Sequence, residues 1–174
     1  SGIEVMPTPV DSRLRLRSLG IRPISNVVDA TNWVMLETGN PLHAFDARFV
    51  QNGQIRVRMA HEDETLVTLD GEARHLVATD CVISDSQGAI ALAGIMGGMD
   101  SEIRGDTSEV ILEAASFDGA AIRRTAMRLG MRSESSARFE KDLDPELAGN
   151  AALRFLDQLG RWSPQLRVVG RLND

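Results

Sequence analysis

A histidine that directly follows a turn is the first residue of this chain that could take part in chemistry. In the stretch "TNWVMLETGNPLHAFD", residues 31–46, the turn signal Gly39-Asn40-Pro41 ends an apolar segment and His43 follows it. Thr31 and Asn32 open the same stretch. A histidine can act as a general base or orient water near neutral pH. An isolated histidine of this kind is more often a packed or surface residue, which is the alternative for His43.

A carboxylate inside an apolar segment is the second such feature. Glu113 lies in "VILEAASF", where apolar residues surround it in sequence. Burying an unpaired carboxylate costs free energy, so a buried Glu113 would need a hydrogen-bond donor or a hydrated cavity. The alternative is that Glu113 lies on the solvent face of a strand.

The glycine-rich segment "GIMGG", residues 94–98, could let backbone approach a ligand or another segment of backbone. A bulge or a hairpin end explains it as well as a binding loop does. The chain has no P-loop, G-x-G-x-x-G, G-x-S-x-G or H-E-x-x-H motif. Its one cysteine, Cys81, and its three histidines lack metal-ligand spacing, so we expect no metal. Cys81 is expected to be a small buried hydrophobic side chain in a reducing compartment.

The net charge of −6 argues against a nucleic-acid binder that is held by bulk positive charge. Arginine nevertheless supplies 18 of the 19 basic residues, and it is concentrated in two runs. The first run lies at residues 12–28, and the second consists of Arg123, Arg124, Arg128, Arg132 and Arg138. Each run is either a solvated face or a phosphate-binding face, because planar guanidinium groups suit phosphate.

Helical periodicity and capping residues predict four helices. A short helix is expected in "DSRLRLRSLG", and a clearer one in "SNVVDATNWVMLETG", which Ser25 or Asn26 can cap and Gly39 can end. A third, in "DGAAIRRTAMRLG", is capped by Asp118 and stopped by Gly130. The last, "DPELAGNAALRFLDQLG", has a candidate N-cap and a first-turn proline, with a buried stripe made of Leu147, Ala151, Phe155 and Leu159.

The region between these helices changes to a two-residue period. "QIRVRMA" predicts a half-buried strand with Ile55, Val57 and Met59 on its buried side. The Asp70-Gly71 turn predicts one hairpin, "CVISD" and "AIALAGIMGG" a second, and "SEVILEAASF" a sixth strand. The final run "LRVVGRL" could add another. We therefore expect an α+β fold whose antiparallel sheet curls toward a β-barrel-like core flanked by helices.

The length of 174 residues suits a single domain spanning residues 1–174. No apolar run approaches the roughly 20 residues that a membrane-spanning helix needs. The first residues also lack the basic-then-apolar order of a secretory signal. These features lead us to expect a cytoplasmic protein that has no membrane contact.

Four long blocks resemble a known family when they are taken in order. They are "RPISNVVDATNWVMLETGNPLHAFD", "ALAGIMGG", "EVILEAASFD" and "MRSESSARFEKDLDP". Together they closely resemble the B3/B4 domain in the β subunit of bacterial phenylalanyl-tRNA synthetase, over about residues 10–160. The chain departs from the family pattern at Trp33, where Tyr is frequent, at Asn40, where Gln is usual, and at Asp142, where Gly is common.

The resemblance implies an editing domain that hydrolyses the ester of mischarged Tyr-tRNA(Phe). A synthetic pocket for phenylalanine cannot strongly reject tyrosine, which only adds a hydroxyl, and discriminates by about 100-fold. A second pocket that hydrogen-bonds the hydroxyl reverses this test, because phenylalanine would leave its polar groups unpaired. The resemblance also implies that this chain is a fragment of a larger β subunit.

Site roles follow from the same resemblance. Glu113 would accept the tyrosine hydroxyl, and the backbone at Ala93-Gly94 would lie against the substrate. His43 and Asn32, with Thr31 nearby, would position the ester and the attacking water, with His43 facing the helix end that bears Thr31 and Asn32. Hydrolysis would depend on an oriented water rather than on a covalent nucleophile or a metal, assisted by the terminal hydroxyl of the tRNA. Whether His43 acts as a base or as a positioning group is left open.

The implied partners are the acceptor end of tRNA(Phe), a tyrosine or tyrosine-like amino acid, the α subunit and the other β-subunit domains of an (αβ)2 enzyme. The candidate tRNA contacts are the arginines of the second run. No cofactor is expected here, since ATP and magnesium would be used elsewhere in the parent enzyme. Two alternatives stay open: a non-catalytic tRNA- or subunit-binding module, and a freestanding trans-editing hydrolase.

Overall fold

Helices flank a central block of short antiparallel strands in the computed structural model, which describes residues 1–170. The helices are α1 (Val10–Ser18), α2 (Asn26–Thr38), α3 (Gly119–Leu129), α4 (Ser136–Phe139) and α5 (Leu147–Trp162). The strands are β1 (Leu42–Asp46), β2 (Arg56–Met59), β3 (Thr65–Val67), β4 (Ala73–His75), β5 (Cys81–Ser84), β6 (Ala89–Leu92), β7 (Met96–Gly97) and β8 (Val110–Ala114).

The predicted capping residues begin and end two of the helices. At the start of α2, the Ser25 side chain accepts a hydrogen bond from the Val28 N–H, and Gly39 ends the helix with a φ of 83°. At the start of α3, the Asp118 carboxylate accepts from the Ala121 N–H, and Gly130 ends the helix with a φ of 64°. Both glycines take the left-handed conformation that a helix C-terminus favours. The predicted helices α2 and α3 are therefore confirmed, as is the short helix α1.

The last helix begins later than the sequence indicates. Its first residue is Leu147 rather than Pro145, because Asp144 accepts from the Glu146 N–H at 3.0 Å within a separate turn. The buried stripe of α5 is confirmed at Ala151, Phe155 and Leu159.

The strands form three antiparallel sheets within the described residues. β1 pairs only with β8, β3 pairs only with β4, and the remaining strands form a four-stranded sheet in the order β2-β5-β6-β7. The α+β class is confirmed, but the sheets do not close into a barrel. The reason is that β1 and β8 pair with each other instead of extending an edge of the four-stranded sheet.

The two-stranded β1–β8 ribbon lies between two layers. On one side, Leu42 and Ala44 pack with α2 and α5 around Val34 and Phe155. On the other side, Phe45 packs against β5 and β6 in a cluster completed by Val50, Ile83, Ala91 and Ala93. A third cluster, on the far side of the four-stranded sheet, joins Val82 and Leu92 to Ile122 of α3 and Phe139 of α4.

The orientation predicted for β2 is wrong. Val57 and Met59 are 58% and 48% exposed, whereas Arg58 is half-buried. β2 is an edge strand of the four-stranded sheet, and the face that bears Val57 and Met59 is open to solvent. Arg58 instead forms a two-pronged ion pair with Glu64, whose carboxylate also accepts from the Ala89 N–H.

Two further differences concern the strand inventory. The sequence predicts the turn Gly39-Asn40-Pro41 but no strand after it, whereas residues 42–46 form β1, and β7 was not predicted as a separate strand. Of the predicted strand at residues 166–172, residues 166–170 are not a strand, and the rest lies outside the described residues. Over residues 1–170, no helix is both long and apolar enough to cross a membrane.

Candidate functional site

The pairing of β1 with β8 sets His43 directly opposite Glu113. The Ala47 N–H donates to the Glu109 carbonyl, and antiparallel rungs alternate, so His43 and Glu113 form a hydrogen-bonded pair. Side chains of directly opposed residues leave the same face of a sheet. Both side chains therefore point away from α2 and α5 and toward the four-stranded sheet.

A cavity with about 340 Å³ of empty space, part of it open to solvent, lies on that face. It is bounded by three parts of the chain: the β1–β8 ribbon, the β6–β7 hairpin and the segment around α4. The lining residues are Pro41, Leu42, His43, Ala91, Leu92, Gly94, Ile95, Met96, Gly97, Glu113, Ser135 and Phe139. Two ionisable side chains thus share one cavity with ten residues that do not ionise. Ionisable groups that converge in a cavity are a usual feature of small-molecule sites.

The imidazole of His43 packs against the backbone of Gly97 at the wall of the cavity. A Cβ added to Gly97 would lie 2.7 Å from Cε1 and 2.8 Å from Nε2 of His43. The ring also meets Phe45 edge-on, with centroids 4.6 Å apart. Any larger residue at position 97 would therefore displace the imidazole.

Gly94 lines the same cavity, but its missing side chain faces the core. Its φ is 65°, and a Cβ there would lie about 3 Å from Phe139, Phe117 and Ile122. The positive φ and the close aromatic packing both require glycine at this position. The cavity side of Gly94 is backbone.

Burial shifts the pKa values of the two ionisable groups toward their neutral forms. Removal from water lowers the pKa of His43 to about 4 and raises the pKa of Glu113 to about 7. At neutral pH, His43 is an uncharged imidazole with one nitrogen free to accept a hydrogen bond. Glu113 exchanges its proton near neutral pH, so it can accept a hydrogen bond in either state.

Replacing Glu113 with glutamine should stabilise the chain at high pH and not at low pH. The folded-state pKa of about 7 lies above the unfolded value of 4.5, so ionisation favours unfolding as pH rises between them. The variant lacks this loss, and its advantage in unfolding free energy should grow by about 2–3 kcal/mol between pH 4 and pH 8. Urea unfolding of both proteins at pH 4, 6 and 8 measures this difference.

Glu109→Gln is the matched control, since Glu109 is exposed and lies just before β8. As a substitution of one exposed side chain, it should change the unfolding free energy by less than about 0.5 kcal/mol at all three pH values. A pH-independent difference for Glu113→Gln would mean that the Glu113 carboxyl is not held away from water.

The thiol of Cys81 lies near enough to Glu113 to sense its charge. Burial first, and then the negative charge of Glu113, raise the pKa of Cys81. The protonated thiol that results is a poor nucleophile. Cys81 is half-buried, and its carbonyl accepts from the Ala93 N–H at 3.1 Å. This agrees with a small packing side chain.

The structure gathers some of the predicted site residues and leaves others apart. His43, Glu113 and Gly94 line one cavity, and Ala93 is buried beside Gly94 with its side chain in the core. Thr31 and Asn32 lie in the middle of α2 and do not line this cavity. The Thr31 hydroxyl donates to the Val28 carbonyl of its own helix. The catalytic roles given to these residues stay predictions.

The sequence did not indicate that the segment around α4 would line the cavity. Ser135 and Phe139 line the cavity because the Ser133 hydroxyl donates to the Ile95 carbonyl at 2.7 Å and ties this segment to the β6–β7 hairpin. The contact spans 38 positions, so no local pattern could have indicated it. Gly97 could have been identified as a site residue from the sequence, since it belongs to the glycine-rich segment.

The five arginines of the second run do not form one free face. Arg128 pairs with the buried carboxylate of Asp80, Arg138 pairs with Glu134 at 2.7 Å, and Arg132 lies 3.8 Å from Glu140. Arg123 and Arg124 are exposed on α3. Their proposed contact with tRNA stays a prediction. No group of three or more His, Cys, Asp or Glu residues within positions 1–170 is arranged to hold a metal ion.

Comparison with known proteins gives a consistent assignment. The model of the B3/4 domain family matches residues 1–162. The phenylalanine–tRNA ligase beta subunit of Geobacter sulfurreducens is 50% identical over 151 residues, covering 87% of this chain and 19% of that protein. That of Bacillus licheniformis is 45% identical over 172 residues, covering 99% of this chain and 21% of that protein.

A third beta subunit, from Oleidesulfovibrio alaskensis, is 50% identical over 161 residues, covering 91% of this chain and 20% of that protein. The chain thus spans about a fifth of the length of the curated relatives that it matches. These matches confirm the resemblance carried by the four sequence blocks, and the chain belongs to the B3/4 domain family found in phenylalanine–tRNA ligase beta subunits.

Proposed function

We propose that this chain is the editing module of a phenylalanine–tRNA ligase and hydrolyses the ester of tyrosine mischarged on tRNA(Phe). The observation that carries the proposal is the pairing of His43 with Glu113 across one rung, with both side chains in a single cavity. One group can serve the ester and its water, while the other tests the amino acid.

Glu113 supports selection of tyrosine through the cost of an unmet polar group. A phenolic hydroxyl in the cavity would donate a hydrogen bond to the Glu113 carboxyl. Phenylalanine would remove water from the same carboxyl and return no hydrogen bond, which is costly for a buried polar group. A site built to bind a hydroxyl therefore rejects the analogue that lacks it.

His43 supports the hydrolytic step through its uncharged state. An imidazole with a pKa of about 4 is neutral at physiological pH and can accept a hydrogen bond from a water molecule. Orienting that water toward the ester carbonyl lowers the entropic part of the barrier. As the water oxygen adds to the ester carbonyl, the bond to the ribose oxygen breaks and that oxygen leaves as a hydroxyl. The proton lost by the water reaches this departing oxygen by way of His43 or, with His43 only positioning the water, by way of the neighbouring hydroxyl of the same ribose.

The opening of the cavity bears on access by the substrate. The empty space there amounts to about 340 Å³. Part of that space is open to solvent, and the opening provides a route for the tRNA acceptor end. Arg123 and Arg124 are exposed candidates for phosphate contact.

The remaining partners follow from the relatives. As part of a beta subunit, the domain would act beside an α subunit and the other β-subunit domains in an (αβ)2 enzyme of the cytoplasm. ATP and magnesium would be used for aminoacylation in those other parts. The aminoacyl end of tRNA(Phe) would reach this cavity from the synthetic site.

Incubating the chain with Tyr-tRNA(Phe) and with Phe-tRNA(Phe) tests the proposal. The two esters differ by one hydroxyl, so each is the matched control for the other. We expect release of tyrosine well above the rate without protein and slower release of phenylalanine. Equal rates for the two esters, with binding of the tRNA verified, would contradict the editing function.

A further inference from the structure

The side chain of Asn40 lies at the open end of the β1–β8 ribbon. Asn40 is fully buried between the end of α2 and the start of β1. Its Nδ2 donates to the Pro41 carbonyl at 2.9 Å and to the Ala115 carbonyl at 3.5 Å. One carboxamide thus joins the chain entering β1 to the chain leaving β8.

Pro41 and Ala115 occupy the next position of the β1–β8 register. The last paired residues are Leu42 and Ala114, so extending the register by one residue places Pro41 opposite Ala115. Hydrogen-bonded rungs alternate, and the pairs 47/109 and 43/113 make 41/115 the next one. Proline has no N–H and cannot donate to the Ala115 carbonyl. The Nδ2 of Asn40 donates to that carbonyl instead.

The carboxamide of Asn40 is held in one orientation, and this orientation lowers the stability of the fold. Both neighbours of Nδ2 are carbonyl oxygens, which fixes the NH2 group on that side. The Oδ1 atom is buried and has no hydrogen-bond donor among the described residues. An unmet buried acceptor lowers stability, so the two hydrogen bonds of Nδ2 are kept at some cost to the stability of the fold.

We propose that the carboxamide of Asn40 replaces the rung that Pro41 cannot form and thereby positions His43 against Glu113. The His43–Glu113 pair is the first regular hydrogen-bonded rung inside this end of the ribbon. Without the carboxamide, the ribbon would fray from the Pro41 end, and these two residues would be the first functional groups to separate. The consequence for hydrolysis rests on the proposed function, whereas the structural role does not.

Asn40→Leu removes the carboxamide and keeps the size of the side chain. We expect amide hydrogen exchange at His43 and Glu113 to become about tenfold faster, the effect of one lost neutral hydrogen bond. Water entering the frayed end should raise the pKa of His43 toward 6.5 and lower that of Glu113 toward 4.5, as measured by NMR titration. The urea midpoint should change little, because the loss of the two Nδ2 hydrogen bonds is offset by removal of the unmet Oδ1 and by water that reaches the two freed carbonyls. Asn40→Ala provides the same test if the leucine variant does not fold.

Ser116→Ala is the matched control. It removes one side-chain hydrogen bond, from Ser116 to the Leu143 carbonyl at 3.0 Å, just beyond β8 but not across the ribbon. It should leave the exchange rates and both pKa values unchanged. The proposal is overturned if the Asn40 variants match the wild type in these readouts, or if Ser116→Ala changes them equally. None of these measurements uses tRNA, so they stand apart from a failure of the editing assay.

Discussion

Glu113→Ala is expected to remove most of the preference of the domain for Tyr-tRNA(Phe) over Phe-tRNA(Phe). Half-buried Glu113 is the only acidic residue lining the described cavity, and its carboxyl can accept a hydrogen bond from the phenolic hydroxyl in either protonation state. A hydrogen bond to a charged group contributes about 1.5–3 kcal/mol, so the ratio of kcat/KM values should fall by about 10- to 100-fold. Deacylation of both esters under single-turnover conditions measures this ratio.

Two variants distinguish a loss of recognition of the tyrosine hydroxyl from a disturbance of the β1–β8 ribbon. Glu113→Gln keeps an acceptor oxygen and should retain part of the preference, whereas Glu109→Ala changes an exposed carboxylate and should retain all of it. Phenylalanine release by Glu113→Ala should not fall, because the variant no longer presents an unmet polar group to that substrate. A full preference in Glu113→Ala would remove Glu113 from the recognition role.

His43→Ala should slow release of tyrosine by about 100-fold or more, the usual contribution of a positioned general base. The neutral imidazole of His43 lies against Gly97 and is the only basic side chain lining the cavity in the described part of the chain. Folding should change little, because the half-buried ring makes no side-chain hydrogen bond within residues 1–170. Deacylation rates and urea midpoints measured on the same samples check both statements.

His61→Ala is the control for this variant, because His61 is exposed and distant in sequence from β1. His43→Gln further distinguishes a base from a positioning group, since glutamine can hold a water but cannot take its proton at neutral pH. Loss of folding in His43→Ala, with activity per folded molecule retained, would show that His43 is a packing residue.

Local patterns were sufficient for helices α2 and α3. Ser25, Gly39, Asp118 and Gly130 act within one turn of the residues whose backbone groups they satisfy, so their effect can be predicted from nearby sequence. The Asp70-Gly71 turn likewise joins β3 to β4, with Gly71 at a φ of 84°. The family resemblance, carried by four long blocks, was confirmed over most of the chain.

Orientation and pairing of strands could not be predicted in the same way. Val57 and Met59 alternate as buried residues do, yet they are exposed because β2 is an edge strand. β1 was not predicted, because its five residues form a strand only by pairing with β8, about 70 positions later in the chain. Register depends on which segments meet, and that is a property of the whole fold.

The sequence by itself determined the family, the α+β class and the chemical groups at hand, a histidine, a glutamate and a glycine-rich segment. Only the tertiary structure decided that His43 and Glu113 share one rung and one cavity, while Thr31 and Asn32 lie outside its lining. The physical reason lies in the range of the interactions. Caps and turns act over a few residues, whereas burial and strand register join distant segments and shift the pKa values of His43 and Glu113.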